Sequence, residues 1–118
     1  MAFRDLVAWQ KAMDLVDDVY TVVRCFPREE LFGLGRQMRD AALSIPSNIA
    51  EGSGRGSDIE YRRFVRIARA STFELQTQIE VARRQHFITN EQARALDENA
   101  SEVAKTINGL LRALTSKV

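Results

Sequence analysis

Apolar positions recur at spacings of three and four along four segments of the chain, the pattern of amphipathic helices. The first segment, from about Asp5 to Phe26, carries two such lines. Leu6, Trp9, Met13, Val16, Tyr20 and Val23 make one, and Ala8, Ala12, Leu15, Val19, Val22 and Phe26 make the other. At 100° per residue the lines lie roughly 110° apart, so apolar side chains cover about half the helix circumference. One bundle core needs a narrower stripe. The surplus predicts either a helix wedged deeply between neighbours or a second buried contact with another copy of the chain, and the second reading is favoured. Trp9 and Tyr20 fall in the apolar line and read as core anchors.

Phe26-Pro27 closes the first segment, because the residue before a proline is pushed out of the α region. The second helix is expected from about Leu34 to Glu51, with Leu34, Met38, Ala41, Ala42, Ile45 and Ile49 inward. Pro46 removes one backbone hydrogen bond and predicts a kink, with Ser44, Ser47 and Asn48 at hand to satisfy the freed carbonyl. Gly52–Gly56 reads as the interhelix loop. Ser57-Asp58-Ile59-Glu60 then fits a capping box, a serine N-cap with glutamate three residues on. The third helix runs from about Asp58 to His86, with Tyr61, Phe64, Val65, Ala68, Leu75, Ile79 and Ala82 inward. Thr89-Asn90-Glu91-Gln92 repeats the capping logic for a fourth, whose seam is Ala93, Leu96, Ala100, Val103, Ile107, Leu110 and Leu114. No alternating strand pattern competes. Short connections make sequential helices antiparallel neighbours, so the expected fold is all-α, an up-and-down antiparallel four-helix bundle. One domain spanning 1–118 is expected, long enough to bury a core.

Composition narrows the function classes. The chain is 45% hydrophobic and 28% charged, ordinary for a globular protein, and its net charge of +1 names no partner by itself. No run approaches the roughly 20 apolar residues needed to span a bilayer, so no membrane role is expected. Met1-Ala2-Phe3-Arg4-Asp5 lacks the basic-then-apolar layout of a signal peptide. A single cysteine, Cys25, fits a reducing compartment, and the cytoplasm is the expected location. Cys25 itself reads as a small packing residue.

The charge is unevenly spread. Residues 55–69 carry Arg55, Arg62, Arg63, Arg66 and Arg69 against Asp58 and Glu60, a local balance of +3, whereas residues 1–27 sum to −1. Arg62, Arg66 and Arg69 fall at spacings of four and three and share one outward face of the third helix, which Phe73 and Arg84 extend. Arginines beside an exposed aromatic suit phosphates and unpaired bases. A solvated arginine face, with Phe73 covered by another subunit, is the plainer reading for one chain. Repetition around a symmetric assembly would strengthen the nucleic-acid reading through multivalency.

Other candidates are weaker. The glycine loop lacks the lysine and the preceding strand of a phosphate-binding loop and reads as a turn. Gln37, Ser44, Asn48 and Glu51 line one side of the second helix, and Glu74 and Gln78 pair on the third. Glu51 and Glu74 invite acid–base or metal chemistry, but the Glu-x-x-His pairs of bundle metal sites are missing and His86 is the only histidine. Hydrogen bonding that fixes helix register or a subunit contact is the expected role. No catalytic residue, cofactor or metal ligand is assigned.

Several runs carry a resemblance. They are Phe3-Arg4-Asp5-Leu6 with Trp9, Lys11 and Ala12; Tyr20; Phe26-Pro27 with Glu30 and Gly33-Leu34; and Gln37-Met38-Arg39. The most specific is Ala41-Ala42-Leu43-Ser44-Ile45-Pro46-Ser47-Asn48-Ile49-Ala50-Glu51-Gly52, followed by Ser71 and Glu74-Leu75-Gln76-Thr77-Gln78-Ile79. From Phe3 to about Phe87 the chain resembles the 23S rRNA-intervening-sequence proteins. The resemblance implies a short left-handed bundle that assembles as a homopentamer with a central channel. A group of similar fold, the accessory variability proteins of diversity-generating retroelements, binds nucleic acid and reverse transcriptase. Asp40 stands where the family usually has a second arginine, which lowers the positive charge beside Arg39.

Together these readings predict a non-enzymatic oligomer, a homopentamer by resemblance, that contacts RNA or DNA weakly. Its phosphate ligands would be Arg36, Arg39, Arg55, Arg62, Arg66 and Arg69, with little base reading. The alternative is an interaction scaffold that docks a partner protein without nucleic acid.

Overall fold

Most of both apolar lines of the first segment lies in one helix, α1 (Val7–Val23), with Leu6 just before it and Phe26 just after, and a 3-10 turn at Phe3–Asp5 precedes it. The other helices are α2 (Leu34–Ser53), α3 (Asp58–Arg84) and α4 (Asn90–Thr115). The computed structural model describes residues 2–115; the expected domain span of 1–118 reaches to Met1 and residues 116–118, which lie outside the described residues. At 1.5 Å per residue, helices of 17 to 27 residues are about 26–40 Å long, which suits the longest dimension of 46 Å.

Helix ends follow local chemistry. Ser57 Oγ accepts from the Glu60 amide at 3.2 Å, but the Glu60 carboxylate pairs with Arg63 at 3.0 Å, so only half of the expected box forms. At Thr89 the box is complete: Thr89 Oγ1 accepts from the Gln92 amide at 3.0 Å and Gln92 Oε1 accepts from the Thr89 amide at 2.9 Å. α3 stops at Arg84, two residues short of the expected His86, because His86 turns left-handed with φ 62°. The Phe87 amide then donates to the Ala82 carbonyl at 2.9 Å and the His86 amide to the Arg83 carbonyl at 3.1 Å, a Schellman ending.

Pro46 is buried inside α2, and the α-helical pattern continues through it. Asn48 does not turn back toward the freed carbonyl of residue 42. Its Nδ2 donates to the Ser44 carbonyl at 2.8 Å and to Ser44 Oγ at 2.9 Å. Gly52, expected in the loop, lies within α2, which runs two residues past Glu51. It is buried because α3 approaches closely there: a Cβ at Gly52 would sit 2.8 Å from Phe64 Cβ and 3.1 Å from the Tyr61 carbonyl oxygen.

Side-chain contacts fix which helices adjoin. Ser44 and Ser71 share a 2.9 Å hydroxyl hydrogen bond between α2 and α3. Gln76 Nε2 reaches Asp97 Oδ1 and Ser101 Oγ, each at 3.2 Å, from α3 to α4. Asn99 Nδ2 donates to Asp18 Oδ2 at 2.8 Å, and Lys11 pairs with Glu102 at 3.5 Å, joining α4 to α1. Gly35 lets α1 come close, since a Cβ there would meet Val23 Cγ1 at 2.9 Å. The helices therefore form a ring of antiparallel neighbours, with α2 diagonal to α4.

Leu15, Val19, Met38, Ile45, Ile49, Val65, Leu75, Val103 and Ile107 fill the centre, each essentially without exposure. Each large aliphatic side chain buried this way contributes about 1.5–3 kcal/mol before the cost of ordering the chain. Neither line of the first segment is wholly buried: Val22 is half-buried in one, and Val16 and Val23 are buried in the other. Ala8, Ala12, Leu15, Val19 and Phe26 are buried, while Trp9 and Met13 are half-buried and Tyr20 is 37% exposed. Tyr20 is thus not the core anchor its place in the pattern suggested. Trp9 packs edge-on against Phe3 at a ring-centre distance of 5.4 Å, under the end of α1. In α4, Leu111 rather than Leu110 completes the buried seam.

Candidate nucleic-acid interface

The six arginines expected to meet phosphate do not share a surface. Arg36 and Arg39 lie near the start of α2. The Ser44–Ser71 contact makes Arg36 level with position 79 of α3, about 20 Å along the axis from Arg66. Because α2 is diagonal to α4, neither arginine can reach the edge where α3 meets α4. Arg39 Nη2 donates to the Leu31 carbonyl at 3.1 Å, tying the α1–α2 connection to α2. Arg36 pairs with Asp40 at 4.0 Å, both well exposed, a contact worth little energy but one that balances the charge locally.

Arg55, just beyond α2, donates from Nη2 to Glu51 Oε1 at 3.2 Å. Its guanidinium lies 4.7 Å from the Phe64 ring centre, and that of Arg63 lies 4.8 Å from the same ring. Two cations thus cover one largely buried aromatic.

The remaining three, Arg62, Arg66 and Arg69, do share a face of α3, and here the structure adds a partner that the α3 stripe alone does not contain. Arg66 and Arg69 meet Arg112 of α4 around an open groove of about 500 Å³, completed by Asn108, Leu111 and Thr115. Arg69 Nη1 donates to Asn108 Oδ1 at 3.3 Å, which holds one guanidinium against α4. Arg66 is exposed, while Arg62 and Arg69 are half-buried. Arg62 Nε is buried without a hydrogen-bond partner, one turn before Arg66. Among the described residues no carboxylate lines this groove, and none of its arginines takes part in an ion pair. An arginine fork unspent on carboxylates is the arrangement that donates to phosphate oxygens, two N–H groups at a time.

Further along α3 the charge is balanced. Glu80 accepts from Arg83 at 2.9 and 2.8 Å and from Arg84 at 2.9 Å. These bonds hold its carboxyl down to about 2. Burial, and then the nearby Asp58 carboxylate, push the Tyr61 hydroxyl above its ordinary value.

The other candidates do not assemble. Glu51 is level with position 64 of α3, some 15 Å along the axis from Glu74, so these carboxylates cannot share a proton or a metal. Among the described residues no group of three or more histidine, cysteine, aspartate or glutamate side chains could hold a metal ion. Cys25 is exposed rather than packed, with Sγ 4.0 Å from the Thr21 carbonyl. Among the described residues no helix is long and apolar enough to cross a membrane.

Known proteins place this geometry in a family. The model for 23S rRNA-intervening sequence protein matches residues 4–109, ending just before Arg112. A crystal structure of a protein of unknown function from the S23 ribosomal protein family of Bacteroides thetaiotaomicron is similar, with a TM-score of 0.83 at 20% identity. The likeness covers 89% of this chain and 98% of that one, and at such identity it speaks to the fold alone. No curated protein matches the chain significantly. A match over most of the length, together with four helices in a ring, places the chain in the 23S rRNA-intervening sequence protein family.

Proposed function

We propose that the protein is a non-enzymatic homo-oligomer, five-fold by its family resemblance, that binds RNA or DNA weakly through phosphate contacts. The observation that carries this reading is the convergence of Arg66, Arg69 and Arg112 on one groove with no carboxylate in its described lining. Phosphate contacts of this kind supply affinity without reading sequence. Arg62 extends the groove toward the α2–α3 turn. Arg36, Arg39 and Arg55 stand apart, engaged with Asp40, the Leu31 carbonyl and Glu51.

Self-association draws support from apolar surface left over on α1 and α2. Trp9, Met13 and Tyr20 are incompletely buried, and Leu43 of α2 is 47% exposed. Assembly would repeat the arginine groove and multiply a weak contact. The scaffold reading has its own support in Phe32, 82% exposed between α1 and α2, where a partner protein would find an apolar anchor.

The test compares the two arginine groups on a mixed RNA pool at low salt, with light scattering of the same samples. Arg66→Ala combined with Arg112→Ala is expected to weaken binding at least about tenfold, two phosphate contacts being lost. Arg36→Ala is expected to leave it within about twofold. A mass near 67 kDa, five times the 13.4 kDa chain, is expected throughout. Equal losses from both groups, or a monomer mass, would overturn the respective half of the proposal.

A further inference from the structure

The arginine groove does not end in polar surface. Four residues beyond Arg69 on α3 stands Phe73, 52% exposed, at the mouth of a second open groove of about 570 Å³ formed with Gln76, Thr77, Val81 and Arg84. At 3.6 residues per turn Phe73 lies within about 40° of Arg62, Arg66 and Arg69 around the helix. It is about 6 Å along the axis from Arg69 and about 10 Å from Arg66. Glu80, the carboxylate in this second groove, is already held by Arg83 and Arg84. The strip therefore reads, from the α2–α3 end, as cation, cation, cation, aromatic ring.

We infer that this strip recognises single-stranded nucleic acid rather than duplex, with Arg66, Arg69 and Arg112 on the phosphates and Phe73 as a stacking platform for an unpaired base. The inference rests on the phosphate-binding reading given above. Its physical content is a preference that charge alone would not produce. A duplex presents phosphates more densely than a single strand, so a purely electrostatic groove binds duplex at least as well. In a duplex the flat faces of the bases are hidden in the stack. Only an unpaired base can lie on Phe73, and each such stack strengthens binding with little regard to sequence. Single exposed apolar side chains are ordinary on protein surfaces. What sets Phe73 apart is its alignment with three arginines that none of the described ion pairs engages.

The test measures fluorescence anisotropy of a short dye-labelled single-stranded RNA of mixed sequence, and of its duplex, at low salt. The intact protein should bind the single strand more tightly. Phe73→Leu, which keeps an apolar side chain but removes the ring, should weaken single-strand binding at least about fivefold and leave duplex binding unchanged. Phe73→Trp should restore it. If single strand and duplex bind alike and Phe73→Leu changes neither, the inference falls while the phosphate-binding reading stands. Failure of both probes to bind at low salt would remove that reading and the inference with it. If Phe73→Leu alters the mass seen by light scattering, Phe73 is a contact between subunits, and the inference is overturned.

Discussion

On the outer side of α3, Glu80 takes hydrogen bonds first from Arg83 and then from Arg84, which lower its carboxyl to about 2. A carboxylate with a depressed folded-state value adds stability that is fully present above its unfolded value. That stability is lost as the pH falls through the folded one. Melting curves of the intact protein and of Glu80→Gln should therefore differ near neutral pH and converge as the pH falls from about 4.3 toward about 2. Because the Glu80 side chain is 45% exposed, the difference should be small, and a gap independent of pH would contradict the assignment. Other single residues show where sequence reading stops. The arginine face of α3 is legible from spacing, but Arg112 is not, since nothing in the spacing says which α4 residue stands beside Arg66. Tyr20 sits in a perfect apolar line yet is exposed, because periodicity tells which residues align and not how wide the neighbouring helix is.

Among the elements, α2 and α4 carry the sharpest contrast. Gly52 and Gly109 both lie inside helices, where glycine usually costs about 0.5–1 kcal/mol relative to alanine. At Gly109, apart from the chain neighbours and the nearby helix backbone, the nearest heavy atom to an added Cβ is Arg112 Nη2, 3.8 Å away, so Gly109→Ala should stabilise by about that amount. At Gly52 the same methyl would strike Phe64 Cβ, and Gly52→Ala should destabilise by about 1–3 kcal/mol. Urea unfolding midpoints would show the opposite signs, and two shifts in the same direction would refute the close packing of α2 on α3. Helix existence and the Thr89 cap were readable from pattern and capping chemistry. Ends were not: Gly52 looks like loop punctuation, and only the proximity of Tyr61 and Phe64 shows why a helix needs glycine there. Leu110 and Leu111 both fit a spacing of three or four from Ile107, and the structure buries Leu111 while leaving Leu110 half-buried.

For the whole molecule, the ring of four helices separates the arginines into groups with different work. Those on α2 and after it secure connections or balance local charge, while those along the α3–α4 edge face a groove with no described carboxylate. The bundle itself was legible because every segment is strongly periodic and every connection short. The grouping was not, since it depends on helix register and on which helices are diagonal. The most direct test of the account is the salt dependence of single-stranded RNA binding. Three arginines per chain on phosphate predict that the logarithm of affinity falls with the logarithm of salt at a slope of about −2 or steeper. Replacing Arg66 and Arg112 with alanine should flatten that slope by more than 1. A slope near zero, or one unmoved by those substitutions, would contradict it.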